Sequence, residues 1–550
     1  MSSWVHADRE SDMALRYPII YIRGYAMTTG ERNETAADPF CGFNVGSTVY
    51  RALDRKDRPT QKLVFESPVV RLMSEFQYQH VYQDGYDIMD PCWEPARDEE
   101  GKPIPGIAPA SIVILRYYDD GSDFFGDGKA RHITEYARRL NELILKVRQR
   151  VAEYQEKGKA VMPEENFRCY LVAHSMGGLV ARAFLQGAGE YSNARATVDK
   201  LFTIATPHNG IDVGGRFNVP SWLTAEEVDT FNRKKMAEYL NLTKVTAQFD
   251  NRVDLIPRSA LPPERIFCMV GTNRGDYEPL HGAVRAFVGN GSDGLVRIDN
   301  ASLWGINTDA SGNLIENSHQ EVATAYAFRS HSGYYGIVNS EESYQNLVRF
   351  LFGDVRVDIH LEIEKVSLPV GVEQAIVKGE TLEAGYQFEF LATPKGKRWF
   401  LTRRQSVEDS PACRSHQELT SDGSSRKSIY LSSVFLSKWA KVDESPCLTY
   451  KMSVAAKVPD YVVGGRFWRN EHFEGADLFR DEAIVHLTPP EHDGGEWQID
   501  LAWAVLKAKR IKQKLLFDNE HSCRDILLPF NQDGRPGIKG SLRLRVQPWK

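Results

Sequence analysis

The residues best suited to chemistry stand together at Ala173-His174-Ser175-Met176-Gly177. A short apolar run, Cys169 to Ala173, with the β-branched Val172 in it, leads into the serine. Behind it come another glycine, Gly178, and apolar residues at helical spacing, Leu179, Val180, Ala183 and Phe184. Strand, sharp turn, helix is the context of a nucleophile elbow, which strains its central residue and lifts the hydroxyl clear of a sheet. Small residues two before and two after the serine suit that turn, because the backbones there nearly touch. The alternative is an ordinary serine in a strand-to-helix connection. A serine hydroxyl is a poor nucleophile until a base within hydrogen-bond reach takes its proton. Histidine suits that task because its pKa lies near neutrality, and a carboxylate can fix its tautomer. The chemistry to look for is acyl transfer through a covalent intermediate on Ser175.

Several elements must position such a turn. Residues 18–25 (PIIYIRGY), 110–118 (ASIVILRYY), 198–206 (VDKLFTIAT) and 265–271 (RIFCMVG) read as strands buried on both faces. Lys129 to Lys157 is the strongest helix, with Ile133, Tyr136, Leu140, Leu143, Ile144, Val147, Val151 and Tyr154 on one stripe. Glu321 to Ser330 alternates as a last strand, and Ser340 to Gly353 reads as a closing helix. Strands alternating with helices imply a parallel sheet with right-handed crossovers, an α/β fold. Residues 26–110 exceed a normal connection and read as an insertion, with a helix expected over Ser67 to His80. Residues 211–248 read as a second insertion. There Thr224-Ala225-Glu226-Glu227 is a capping-box pattern opening a helix with Val228, Phe231, Met236, Tyr239 and Leu240 as apolar members.

AHSMGGLVAR resembles the elbow of lipases of the α/β-hydrolase superfamily, and ATPHNG, SDGLV and HSGYYGIVNS resemble further lipase segments. The likeness spans about residues 17–353. It implies an α/β-hydrolase fold and places the acid after the strand at 265–271, which points to Asp293. Asp254 precedes that strand, and Asp276 lacks the Asp-Gly-Leu-Val context. The base belongs beyond the final strand, which points to His331; His208, His281 and His319 lie in the wrong connections. The order Ser175, Asp293, His331 is that of the superfamily. The resemblance also implies an oxyanion hole from the backbone N–H groups of Tyr25 and Met176, although Arg23 stands where these lipases carry histidine. A lid over the acyl pocket would fall in 211–248, with Trp222, Leu223, Val228 and Phe231 as substrate-facing candidates; a permanently packed helix is the alternative.

The 550 residues are too many for one core, so two domains are expected, 1–353 catalytic and 354–550 accessory. After Gly353 the pattern changes to short alternating strands such as VRVDIHLEIEK, KSIYLSSVFL and WQIDLAW, an antiparallel, sandwich-like arrangement. A basic run, Val505 to Leu516, reads as a solvated face, with contact to anionic lipid as the alternative. The net charge of -6 argues against a nucleic-acid partner. Seven cysteines without a C-x-x-C pair give no metal signature, and no cofactor or metal is expected. The first residues lack the apolar core of a signal peptide, so a cytoplasmic location is expected, with export by another route as the alternative. The expected activity is carboxylic-ester hydrolysis on an ester or lipid, with possible contact at a lipid interface. A phospholipase or acyl-inositol deacylase is a close variant, and a hydrolase-fold binding or scaffold protein the non-enzymatic one.

Overall fold

The computed structural model describes residues 16–24, 33–51 except 34, 39, 41 and 44–46, then 61–65, 67–119, 122, 131–156, 159–187, 189–211, 230–275, 291–333, 336–421, 423–440, 447–464, 470–490, 492, 495–507, 510–517 and 522–550. The chain divides into two compact units, Met1–Val322 with Arg329–Tyr344, and Ala323–Phe328 with Gln345–Lys550.

In the first unit six strands lie side by side: β1 (Ile19–Ile22), β2 (Gln79–His80), β3 (Ser111–Leu115), β4 (Cys169–His174), β5 (Val198–Ile204) and β6 (Ile266–Gly271). Their order is β6-β5-β4-β1-β3-β2, and every neighbouring pair is parallel. β1, β3, β4 and β6 are buried at every position, which is why they read as unbroken apolar runs rather than alternating ones. The chain leaves β1 toward β3 but leaves β4 toward β5, so the direction of winding reverses between β1 and β4. In open parallel sheets the crevice at such a reversal, at the carboxyl ends of the strands, is where ligands bind. Ile22 at the end of β1 pairs with Ala173 near the end of β4, and Ser175 follows directly.

Helix α1 (Pro68–Phe76) opens under a Ser67 cap, whose hydroxyl accepts from the Val70 amide. It stops earlier than the sequence suggested, because Gln77 turns left-handed at φ 57° and its amide closes the last turn. The residues beyond it form β2. Helix α2 (Ile133–Glu153) buries Ile133, Tyr136, Leu140, Leu143, Ile144, Val147 and Val151, the stripe visible in the sequence. Helix α3 (Met176–Leu185) is buried along its whole length. That suits its composition, since apart from Arg182 it carries only small and apolar side chains.

The second unit is sandwich-like. One antiparallel sheet runs Ser428–Leu436, Val355–Ser367, Gly537–Pro548, Arg524–Gln532. A larger one runs Thr402–Arg404, Thr381–Pro394, Leu448–Gly464, Asn470–Thr488, Trp497–Trp503, Ile511–Leu515. Val357, Ile359 and Leu544 from the first share one apolar core with Met452, Val485 and Ile499 from the second. The strand Ala323–Ala327 belongs to this unit: the Tyr430 hydroxyl accepts from the Thr324 amide at 2.8 Å, and Thr402 Oγ1 accepts from the Tyr326 amide at 3.1 Å. The basic run, Val505 to Leu516, includes the last strand of this sheet, Ile511–Leu515. There Arg510 pairs with Asp500, and Lys514 with Glu496 at 2.7 Å. Charged, paired side chains on an edge strand guard against unwanted strand addition. Among the described residues no helix is long and apolar enough to cross a membrane.

Candidate active site

Ser175 sits between β4 and α3 with φ 52° and ψ -126°, a conformation that side-chain-bearing residues rarely adopt. Its amide donates to the Ile204 carbonyl of β5 at 2.8 Å, which holds the strained turn at the sheet end. The close approach anticipated around the serine is present. A methyl group on Gly177 would stand 2.3 Å from the Ile22 oxygen and 2.6 Å from the Arg23 oxygen. One on Gly24 would stand 2.7 Å from Ser175 Cβ. Both positions therefore require glycine, and between them they let the end of β1 lie against the turn.

Two distant residues meet this serine. His331 Nε2 lies 2.8 Å from Ser175 Oγ, across 156 residues of chain. His331 Nδ1 lies 2.9 Å from Asp293 Oδ2. The carboxylate only accepts, so Nδ1 carries the proton and Nε2 is left to accept from the serine hydroxyl. The other oxygen, Asp293 Oδ1, accepts from the Leu295 amide at 3.0 Å and the Val296 amide at 2.7 Å. These are the residues that follow in Asp-Gly-Leu-Val, so the local sequence makes its own carboxylate cradle. The main chains are tied as well, the His331 amide donating to the Asp293 carbonyl at 3.0 Å. Asp293 is 1% exposed and His331 3%. Burial keeps competing water from these bonds and raises their worth.

The surroundings hold residues that sequence reasoning had not singled out. His174, one residue before the serine, points its Nε2 at the His331 carbonyl oxygen, 3.0 Å away. Its pKa is held well below the usual histidine value, first by burial and then by the charges His331 and Arg23 would add nearby. The buried Tyr117 hydroxyl donates to the Arg23 carbonyl at 2.6 Å and steadies the chain as it leaves β1. Arg182, fully buried in α3, donates to the carbonyls of His208, Val253 and Leu255 at 2.7 to 3.0 Å, and to Gln186. Burial lowers its pKa to about 10, so it stays charged at neutral pH and binds the helix to the segments at His208 and Val253–Leu255. A histidine directly before a candidate nucleophile was the one available signal for His174. Nothing local marks Tyr117 or Arg182.

The rival residues that the structure describes lie elsewhere. His208 is buried, its Nε2 3.1 Å from Thr203 Oγ1 and its carbonyl taken by Arg182. Asp254 is buried and paired with Arg252, whose Nε is 3.0 Å away. His319 packs beside Trp304 and Phe249. Asp276 and His281 lie outside the described residues.

Met176 is the first residue of α3, where a backbone N–H finds no acceptor within the helix and is left for a ligand or solvent. Tyr25, the expected second oxyanion donor, lies outside the described residues, as do Trp222, Leu223 and Val228. Phe231 is described and packs, half-buried, against the core. The helix containing Met236 does not extend from Thr224. It runs Arg233–Tyr239 under its own cap, Asn232, whose side chain accepts from the Lys234 amide at 2.9 Å. Asparagine ahead of a helix competes for the first free amides and so sets a new start. Met236 and Leu240 are fully buried, so this segment is packed down. Among the described residues no cluster of three or more His, Cys, Asp or Glu could hold a metal ion.

Residues 122–248, which contain β4, Ser175 and β5, match the family model of the PGAP1-like alpha/beta domain. A comparison with the curated proteins finds no match. Solved structures similar to this chain include the Bacillus licheniformis lipase BlEst2 in its propeptide form, 12% identical over 88% of this chain and 96% of that one, with a TM-score of 0.30. The phospholipase PlaB from Legionella pneumophila is 13% identical over 84% and 89%, with a TM-score of 0.29. A putative cell surface hydrolase from Lactobacillus plantarum WCFS1 is 15% identical over 61% and 91%, with a TM-score of 0.23. The first unit has the α/β-hydrolase fold. At such distances the likenesses say nothing of substrate.

Proposed function

We propose that the protein is a serine carboxylic-ester hydrolase of the lipase and esterase kind, with Ser175 as nucleophile, His331 as general base and acid, and Asp293 as its orienting carboxylate. The observation that supports this most is the unbroken line of hydrogen bonds from Asp293 through His331 to Ser175, at 2.9 and 2.8 Å, at a sheet's reversal point. Ser175 Oγ attacks the ester carbonyl carbon while its proton passes to His331 Nε2, and the carbonyl electron pair moves onto oxygen. The oxyanion faces the Met176 N–H and, by the lipase resemblance, that of Tyr25; one such donor is worth on the order of 10²–10³ in rate. The bond to the alcohol breaks as His331 returns the proton to the departing oxygen. Water then attacks the acyl-serine with the same base assisting, releasing the acid and restoring Ser175. The Asp293 charge stabilises the imidazolium at both stages.

A fluorophosphonate probe tests this together with a panel of a short soluble ester, a glycerolipid emulsion and a phospholipid vesicle. Labelling of the wild type and hydrolysis of at least one substrate, both lost in Ser175→Ala, is the expected result. Folded wild type that takes up no label and cleaves none of the three would overturn the assignment and leave a hydrolase fold used for binding.

A further inference from the structure

Building on that proposed hydrolase, we infer that His174 is a positioning residue for its general base: the Nε2–H of His174, donated to the main-chain oxygen of His331, sets where the His331 ring stands over the nucleophile. The bond spans 157 residues of sequence and measures 3.0 Å. It completes a clamp on the backbone of His331, whose amide is already held by the Asp293 carbonyl at 3.0 Å. One side of the base is thus tied to the acid's loop and the other to the residue adjoining the nucleophile. The local bonds of this loop, Ser330 Oγ to the Ser332 carbonyl at 3.1 Å and the Ile337 amide to the Ser330 carbonyl at 2.9 Å, shape the loop without anchoring it to β4. His174 supplies that anchor.

The choice of residue follows from the electrostatics. A carbonyl oxygen only accepts, so the tautomer of His174 is fixed with its proton on Nε2. The two rings stand 5.1 Å apart. A cationic donor at this place would oppose the imidazolium that His331 must become during turnover, whereas a neutral ring gives the same hydrogen bond without a charge. His174 is kept neutral first by burial, and then by the charge His331 would add on taking a proton and by the Arg23 guanidinium. Gly24 leaves the room: a methyl there would lie 2.9 Å from His174 Nδ1. Bond lengths near 2.8 Å tolerate little drift, and a misplacement of about 1 Å in a reacting group can cost about 10²-fold.

The test compares His174→Phe, which keeps an aromatic ring without the donor, with His174→Gln, whose amide nitrogen reaches about as far as Nε2. Turnover of a soluble nitrophenyl ester is measured per serine titrated with fluorophosphonate, so that misfolded protein does not count. His174→Phe is expected to lower kcat about 10- to 100-fold with little change in KM, and His174→Gln to restore most of that loss. The acid limb of kcat/KM in His174→Gln is expected to coincide with that of the wild type, because the ring it removes is neutral throughout. Wild-type kcat in His174→Phe would overturn the inference. So would a Gln variant as slow as the Phe variant, or an acid limb displaced by about a pH unit or more. Should His174→Phe not fold, His174→Asn, whose amide falls short of the carbonyl, replaces it under the same criteria. If the wild type cleaves no ester, the hydrolase assignment fails by itself. The low-field proton resonance of His331 Nδ1–H then decides the inference: its loss in the donor-less variant supports the tether, and an unchanged resonance overturns it.

Discussion

Replacing Asp293 with asparagine exchanges one carboxylate oxygen for an NH2 group, and the loop around it determines which one. Oδ1 accepts from two amides, Leu295 at 3.0 Å and Val296 at 2.7 Å, while Oδ2 faces His331 Nδ1. The asparagine oxygen is therefore held at the Oδ1 place and its NH2 is turned toward the imidazole. Facing a donor, His331 moves its proton to Nε2, which then points a hydrogen at Ser175 and cannot serve as base. The opposite rotamer would preserve the tautomer but set NH2 against two N–H groups. Forfeiting those two bonds at about 1–3 kcal/mol each puts that rotamer about 2–6 kcal/mol higher. At ~1.4 kcal/mol per factor of ten, the competent form falls to between a few parts in a hundred and about one in 10⁴. Asp293→Asn should accordingly lower kcat by about 30- to 10⁴-fold while labelling by fluorophosphonate slows in parallel. The variant should unfold in denaturant close to the wild type, because its shape and its two cradle bonds are kept. Turnover within about tenfold of the wild type, on a protein shown to be folded, would refute both the tautomer argument and the choice of Asp293.

Two more outcomes follow from burial. Gly177→Ala would press a methyl to within 2.3 Å of the Ile22 oxygen, so β1 and α3 must separate; a loss of about 1–3 kcal/mol or more, or no soluble protein, is expected in urea titrations, and wild-type stability would contradict the close packing. Lys200 is 1% exposed, and burial pushes its pKa down to about 7 from 10.5. The unfolded chain then holds the extra proton between those values, so stability rises as pH climbs from about 7 to 10.5 and is lowest below 7. Lys200→Met should gain on the wild type by a few kcal/mol near pH 6, with the advantage fading toward pH 10.5; a gain independent of pH would show that the amine is not what is penalised.

The parts of this site that could be read from the chain were those encoded over a few neighbours. β1, β3, β4 and β6 announced themselves as apolar runs, and α2 as a stripe at helical spacing. The Asp293 cradle is made by its own next residues, so Asp-Gly-Leu-Val was informative by itself. Helix ends were read less well, because single residues decided them: Gln77 closing α1, and Asn232 capping a helix that starts at Arg233 rather than at Thr224. His174 was visible as a letter but silent as to role, since its partner is a backbone oxygen and any residue at position 331 would offer one.

The likeness of SDGLV and HSGYYGIVNS to lipase segments suggested the order of acid and base; the amino acids themselves indicated that a serine in a sharp turn would end a buried strand and that small residues would flank it where backbones nearly touch. Those are local matters of side-chain size, periodicity and turn geometry, decided within a few residues. That an imidazole 156 residues away would stand 2.8 Å from the hydroxyl, with a carboxylate 38 residues from the imidazole behind it, was settled only by closing the sheet. Such distances depend on strand order, register and the buried ties of His174, Tyr117 and Arg182, each a contact between segments whose separation along the chain carries no record of their separation in space.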